Sequence, residues 1–236
     1  MNHDMERFSV RVTARKINKR NLILKFAVVI LLIALSLLAT GYGLSMFVNN
    51  AGNFTVVVPD GNRGALSLSN TADFSAPTAV IEADVLPSMD NITQAWLPAG
   101  LDSVDGAHNG ENYIAHTFYL KNMGDEAINY IAEINITATT RGADEAIRVM
   151  VIKNGETTVY AKGAKDSGNP EPDTTIFAGN TKVMSVENES FESGAVDKYT
   201  VVIWLEGNDP ECVDDILGGV VKMSMNFSVT DGTAFT

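Results

Sequence analysis

The chain has 236 residues, a single cysteine and a formal net charge of −12. One cysteine excludes an internal disulfide framework, so a folded body of this length must be held by its core. The charge is divided: residues 1–25 carry Arg7, Arg11, Arg15, Lys16, Lys19, Arg20 and Lys25 against Asp4 and Glu6, whereas the remainder carries ten basic and 27 acidic residues. A body that acidic repels phosphates, which argues against nucleic acid as a partner.

The basic tail, 1–25, leads into FAVVILLIALSLLATGYGLSMFV, 26–48, which holds 23 residues and no charge. As a helix this run extends roughly 35 Å, enough for a bilayer core of about 30 Å. The sequence therefore predicts a transmembrane anchor or a signal segment. The positive-inside rule puts the N-terminus in the cytoplasm and the third segment, 49–236, outside. The small residues Ala39-Thr40-Gly41 and Gly41-Tyr42-Gly43 suit signal-peptide cleavage and a secreted or cell-surface product. Leu44, Met46, Phe47 and Val48 continue the apolar run and suit an uncleaved single-pass anchor.

Beyond Val48 the helical period gives way to short runs of β type: 53–58, 65–69, 78–86, 112–122, 128–140, 147–153, 156–162, 181–187, 198–206 and 220–229. Several alternate. Ile128, Tyr130, Ala132, Ile134, Ile136 and Ala138 share one face of their run, as do Met223, Met225, Phe227 and Val229 of theirs. Asn154-Gly155 between IRVMVIK and ETTVYAK is the dipeptide of a two-residue hairpin, whose central positions both need positive φ. Turn residues separate the other runs, and nothing suggests βαβ units. The predicted fold is mainly β: an antiparallel sandwich, jelly-roll-like or alternatively immunoglobulin-like, behind one N-terminal transmembrane or signal helix.

Catalytic constellations are missing from the sequence. His3, His108 and His116 form no HExxH pattern, and GxSxG, Walker A and GxGxxG stretches are absent. His116, inside YIAHTFYL, reads as a hydrogen-bonded strand histidine. Calcium is the candidate cation, since it takes six to eight oxygens. Two oxygen-rich loops offer Asp102 and Asp105 in 102–112, and Asp209, Asp214 and Asp215 in 207–215, although neither has EF-hand spacing. The second loop also reads as a connector helix. Asn208 would be its N-cap, Glu211 would complete a capping box, Val213, Ile216 and Leu217 would form its apolar face, and Gly218 or Gly219 would stop it. Cys212 would then be a passive thiol among carboxylates. Five Asn-x-Ser/Thr sequons, at Asn53, Asn91, Asn135, Asn188 and Asn226, are close to the number this composition gives by chance.

Three stretches resemble the TasA/camelysin group of exported proteins of Gram-positive bacteria. These are ATGYGLSMFVNNAGNFTV, FYLKNMGDEAINYIAEI and FESGAVDKYTVVIWLEG. The resemblance covers about half the chain. It implies a jelly-roll-type sandwich, export with a dedicated signal peptidase, and a role in surface or biofilm-matrix fibres. Camelysin is associated with metalloprotease activity, but no protease metal ligands can be matched here. The processing mark of type IV pilins is absent as well, because Asn21-Leu-Ile-Leu-Lys stands at its place.

The expected function is non-enzymatic: a cell-surface structural or interaction protein that self-assembles by strand addition and meets the membrane through its N-terminal helix. The alternative is an extracellular binding module, an adhesin or glycan-binding sandwich with Trp96 or Tyr113 stacking on sugars.

Overall fold

The structure, a computed structural model, describes residues 25–33, 54–84 and 86–230. The chain divides into two compact units, Met1–Asn49 and Asn50–Thr236. In the first, residues 25–33 form a helix with exposed side chains. Among the described residues no helix is long and apolar enough to cross a membrane. The expected span 26–48 continues past residue 33, and that part lies outside the described residues.

The second unit is mainly β. Its twelve described strands are β1 (Phe54–Val57), β2 (Leu66–Ser69), β3 (Val80–Glu82), β4 (Gly106–Ala107), β5 (Tyr113–Asn122), β6 (Ile128–Thr139), β7 (Ile147–Lys153), β8 (Glu156–Ala161), β9 (Thr175–Ile176), β10 (Lys182–Phe191), β11 (Val196–Leu205) and β12 (Val221–Thr230). They form two sheets. The first runs β10-β6-β12-β1-β3; the second runs β2-β5-β11-β7-β8-β9, with β4 added beside β5.

The expectation of a purely antiparallel arrangement needs correction: the sheets are mixed. β1 lies parallel to β12, with Phe54 opposite Met223 and Val56 opposite Met225, and β9 lies parallel to β8. A parallel neighbour needs a long return path between the paired strands. For β1 and β12, the first and last strands described, that path is nearly the whole domain. No run of residues near either strand could have announced it.

The alternating runs behave as their period requires. Tyr130, Ala132, Ile134 and Ile136 of β6 are buried, as are Met223, Met225 and Phe227 of β12. They meet Phe118, Tyr199, Val201 and Ile203 of the second sheet in one continuous core. Aromatic rings cross between the sheets: the Phe227 ring lies 6.1 Å from that of Phe118 and 5.3 Å from that of Tyr199. β7 and β8 close at Asn154-Gly155, with φ of 50° and 89°, the positive values that the dipeptide predicts.

β11 reads KYTVVIWL with no alternation because both of its faces are covered. Val201 and Ile203 face the shared core, while Val202 and Trp204 join Ile92, Leu101, Ala115, Met150 and Val159 in a second, outer cluster. The segment between β3 and β4 supplies that cover. It is pinned by Glu206, whose carboxylate accepts the Trp204 indole N–H at 2.9 Å and the Gln94 backbone N–H at 3.1 Å.

Candidate functional site

Strand β7 presents alternate residues to opposite faces, and each face brings one cation into a buried polar cluster. Arg148 belongs to the outer face, opposite Trp204 in register, with its side chain only 5% exposed. A guanidinium that deep requires a matched acid. Asp209, fully buried, lies 2.7 Å from its Nη1, and Glu171 lies 3.8 Å from its Nη2. The second carboxylate oxygen of Asp209 accepts the Glu211 N–H at 2.8 Å, and Glu211 accepts the Lys165 N–H at 3.1 Å.

Glu171, Asp209 and Glu211 each offer an oxygen, and the three oxygens lie within 4.8 Å of one another. It is the one such group among the described residues. Glu171 Oε1 is buried without a hydrogen-bond partner. Burial, followed by the charge of Asp209, raises the Glu171 carboxyl above its ordinary value; Arg148 opposes this, and Glu211 and Asp166 add to it. Three carboxylates grouped in this way have the oxygen-donor chemistry of a hard-cation site.

The calcium candidates separate. Asp209 enters this cluster. Asp214 and Asp215 are exposed at the start of a single 3₁₀ turn, Asp214–Ile216. Asp105 accepts the Tyr119 hydroxyl at 2.7 Å, and the Asp102 backbone carbonyl accepts a hydrogen bond from Lys198 Nζ. Burial and the Asp105 bond push the Tyr119 hydroxyl up to about 12. Forty positions separate Glu171 from Glu211 in sequence, so local pattern does not pair them. Only the placement of β7 and β11 reveals them.

The connector helix expected from Asn208 is corrected as well. Asp209 uses its side chain on the Glu211 N–H and on Arg148, and Val213 is extended at φ −116°, ψ 166°. What remains is one 3₁₀ turn that buries Ile216 and leaves Val213 and Leu217 exposed. Gly218 does provide the left-handed stop, at φ 70°. Cys212 is a half-buried free thiol. Burial raises its pKa, as do Asp209 and Glu206, while a hydrogen bond from Asn91 opposes them.

On the inner face, Lys153 stands opposite Tyr199 of β11, and across the core Asn188 of β10 stands opposite Tyr130 of β6. The two tyrosine hydroxyls meet at 2.8 Å between the sheets. Asp197, two residues before Tyr199 on the same face, accepts from Tyr130 and also from the Asn154 amide at 2.7 Å. Lys153 Nζ lies 3.1 Å from Asp197 and in contact with the Asn188 carboxamide oxygen. Burial raises both tyrosine hydroxyls far above their usual range.

His116 is a buried strand histidine, 2% exposed, but only half satisfied: Nε2 lies 2.8 Å from Asn70 Oδ1, whereas Nδ1 is buried without a hydrogen-bond partner. Burial, helped by His108 and opposed by Asp84, pushes it down to about 4. Trp96 is 72% exposed on a 3₁₀ turn, whereas Tyr113 packs against the outer cluster.

No family model matches this chain, and no curated protein does. Two solved structures of a β-glucosidase from Kluyveromyces marxianus are similar to it. The glucose complex matches at TM-score 0.26 and 11% identity over 54% of this chain and 13% of that one. The selenomethionine-labelled enzyme matches at TM-score 0.29 and 10% identity over 71% and 17%. This chain thus spans less than a fifth of those enzymes' length.

Proposed function

We propose that this chain is a non-enzymatic structural or interaction protein of the cell surface, whose domain assembles with further copies by strand addition. One observation carries the reading. β10, ten residues long, is the outermost strand of its sheet and pairs only with β6 among the described residues. Such an edge presents a row of backbone donors and acceptors to a further strand. The charge split, the uncharged run 26–48 and the TasA/camelysin resemblance support a domain held outside the membrane, anchored or released, and the finer fold of a jelly roll with an N-terminal membrane or signal helix. Light scattering of the full chain in mild detergent, with and without calcium, tests the assembly. Growth of the particle with concentration is expected; a strict monomer at high concentration contradicts it.

A glycan-binding module is the second reading, favoured by the exposure of Trp96 on a turn whose neighbours Gln94 and Leu97 line a cleft with Pro98 and Asp102. Aromatic faces of this kind stack on sugar rings. A glycan array should then give signal that Trp96→Ala removes; a blank array discards this reading.

A further inference from the structure

We propose that Lys153 and Asn188 become joined by an intramolecular amide bond that fastens the two sheets to each other, with Asp197 as the proton-transfer group. The geometry brings an amine, a carboxamide and a carboxylic acid together from three strands. Lys153 Nζ touches the Asn188 side-chain oxygen and lies 3.1 Å from Asp197 Oδ2. The carbonyl carbon of Asn188 is one C=O bond, about 1.2 Å, from the oxygen that Lys153 Nζ touches, so rotation of the carboxamide brings the amine to an attack distance of roughly 3–3.5 Å.

The surroundings fix that arrangement. Tyr130 and Tyr199 are buried, and their hydroxyls are bonded to one another. Lys153 Nζ lies 5.6 Å and 5.9 Å from the centres of their rings. Asn154 holds the other Asp197 oxygen at 2.7 Å, so the carboxylate cannot swing away. Asn188 shares the inward face of Met184 by the ordinary alternation of β10, opposite Tyr130, and the register shift to Phe191, with Ser190 at φ 54°, follows it. The Phe191 ring then packs edge-on against Tyr130, 5.1 Å between centres. Every member of the group is thus held by a neighbour before any reaction.

The step balances without an outside reagent. Asp197 takes a proton from the Lys153 ammonium, and the free amine attacks Cγ of Asn188. The protonated Asp197 donates to the developing oxyanion. Collapse of the tetrahedral adduct breaks the Cγ–Nδ2 bond, and Nδ2 departs with two further protons as ammonium. One ammonium side chain and one carboxamide become a secondary amide and one ammonium ion, with no change in charge or oxidation state. The bond links β7 of the second sheet to β10 of the first, across 35 positions of sequence. A domain that cannot form an internal disulfide would then carry a covalent tie of another kind.

Intact-mass spectrometry of the purified full chain tests this, followed by peptide mapping. The expected result is a deficit of about 17 Da, one ammonia, in the wild type and a branched peptide containing both Lys153 and Asn188. Lys153→Arg and Asn188→Ala should each restore the full mass, and Asp197→Asn should leave most of the chain unlinked. Four results overturn the proposal: a wild type of full mass, a deficit mapped to an imide at Asn154-Gly155, a glycan on Asn188, or an unchanged deficit in Lys153→Arg. If the variants fail to fold, the wild-type mass and its peptide map together decide.

Discussion

Arg148 and Lys153 occupy the same strand, five positions apart, and meet opposite electrostatic fates. Odd spacing sends them to opposite faces of β7. Arg148 faces Asp209 and Glu171, with Glu211 grouped beside them, and Glu171 keeps an oxygen without a hydrogen-bond partner. Lys153 faces one carboxylate, one carboxamide and two phenol rings, with Asp197 held at both oxygens. The outer cluster has surplus negative charge and an open acceptor, which suits capture of a cation. The inner cluster is matched, and its reactive groups are pressed together, which suits a fixed link. One strand therefore carries both a charge-rich loop site and a bridge between sheets, separated only by the period of the backbone.

The largest expected effect breaks the outer cluster. Asp209→Ala leaves Arg148 buried without its close partner, and stripping a buried pair of one member costs roughly 3–5 kcal/mol. Thermal unfolding should fall by on the order of 10 °C for a domain of this size. A fall of a degree or less would mean that Arg148 reaches water.

On the inner face, Lys153→Arg keeps the charge and removes the nucleophile. Loss of a cross-link closing a loop of 35 positions should cost roughly 3–4 kcal/mol, chiefly through the unfolded chain. Urea midpoints of the two proteins measure it. Equal midpoints would reduce the inner cluster to an ordinary ion pair.

Glu171→Gln sharpens the comparison with a smaller effect whose sign depends on pH. Glu171 holds its proton more tightly when folded than when unfolded, so stability is lost as pH rises from the unfolded value through the folded one. Relative to the glutamine variant, the wild type should lose stability as pH rises from its ordinary 4.5 toward neutrality, and the two should converge in acid. Urea midpoints across that range report the difference. A wild type that gains on the variant as pH rises would reverse the assignment. Any rise in melting temperature on adding calcium should vanish in this variant.

Much of the body was legible from local pattern. IRVMVIK is β7 residue for residue, and alternation in 128–138 and 223–229 placed the buried face of β6 and β12. Local pattern was silent where pairing is remote or elements are minimal. β4 and β9 are two residues each, and β1 lies beside a strand from the far end of the chain. The loop 207–215 has the pattern of a capped helix, because Asn208, Pro210 and Glu211 satisfy capping rules, but the demand of a buried Arg148 for Asp209 prevails. Of the candidate cation ligands only Asp209 was named from sequence, since its partners Glu171 and Glu211 became visible only in three dimensions. Nothing in the sequence pairs Lys153, the last residue of the run 147–153, with Asn188, a sequon asparagine one residue past the run 181–187.

The inner cluster also bears on assembly, because a tie from Asn188 to β7 would hold β10, the edge offered to a further strand, in one position. Amide hydrogen exchange across Lys182–Phe191, followed in the full chain at rising concentration, tests that edge most directly. Strand addition predicts that alternate amides, those turned away from β6, slow as the particle grows, and that proline at Val186 or at Glu187 blocks both changes in one of the two cases. Exchange that stays constant while the particle grows, or a particle that never grows, contradicts it.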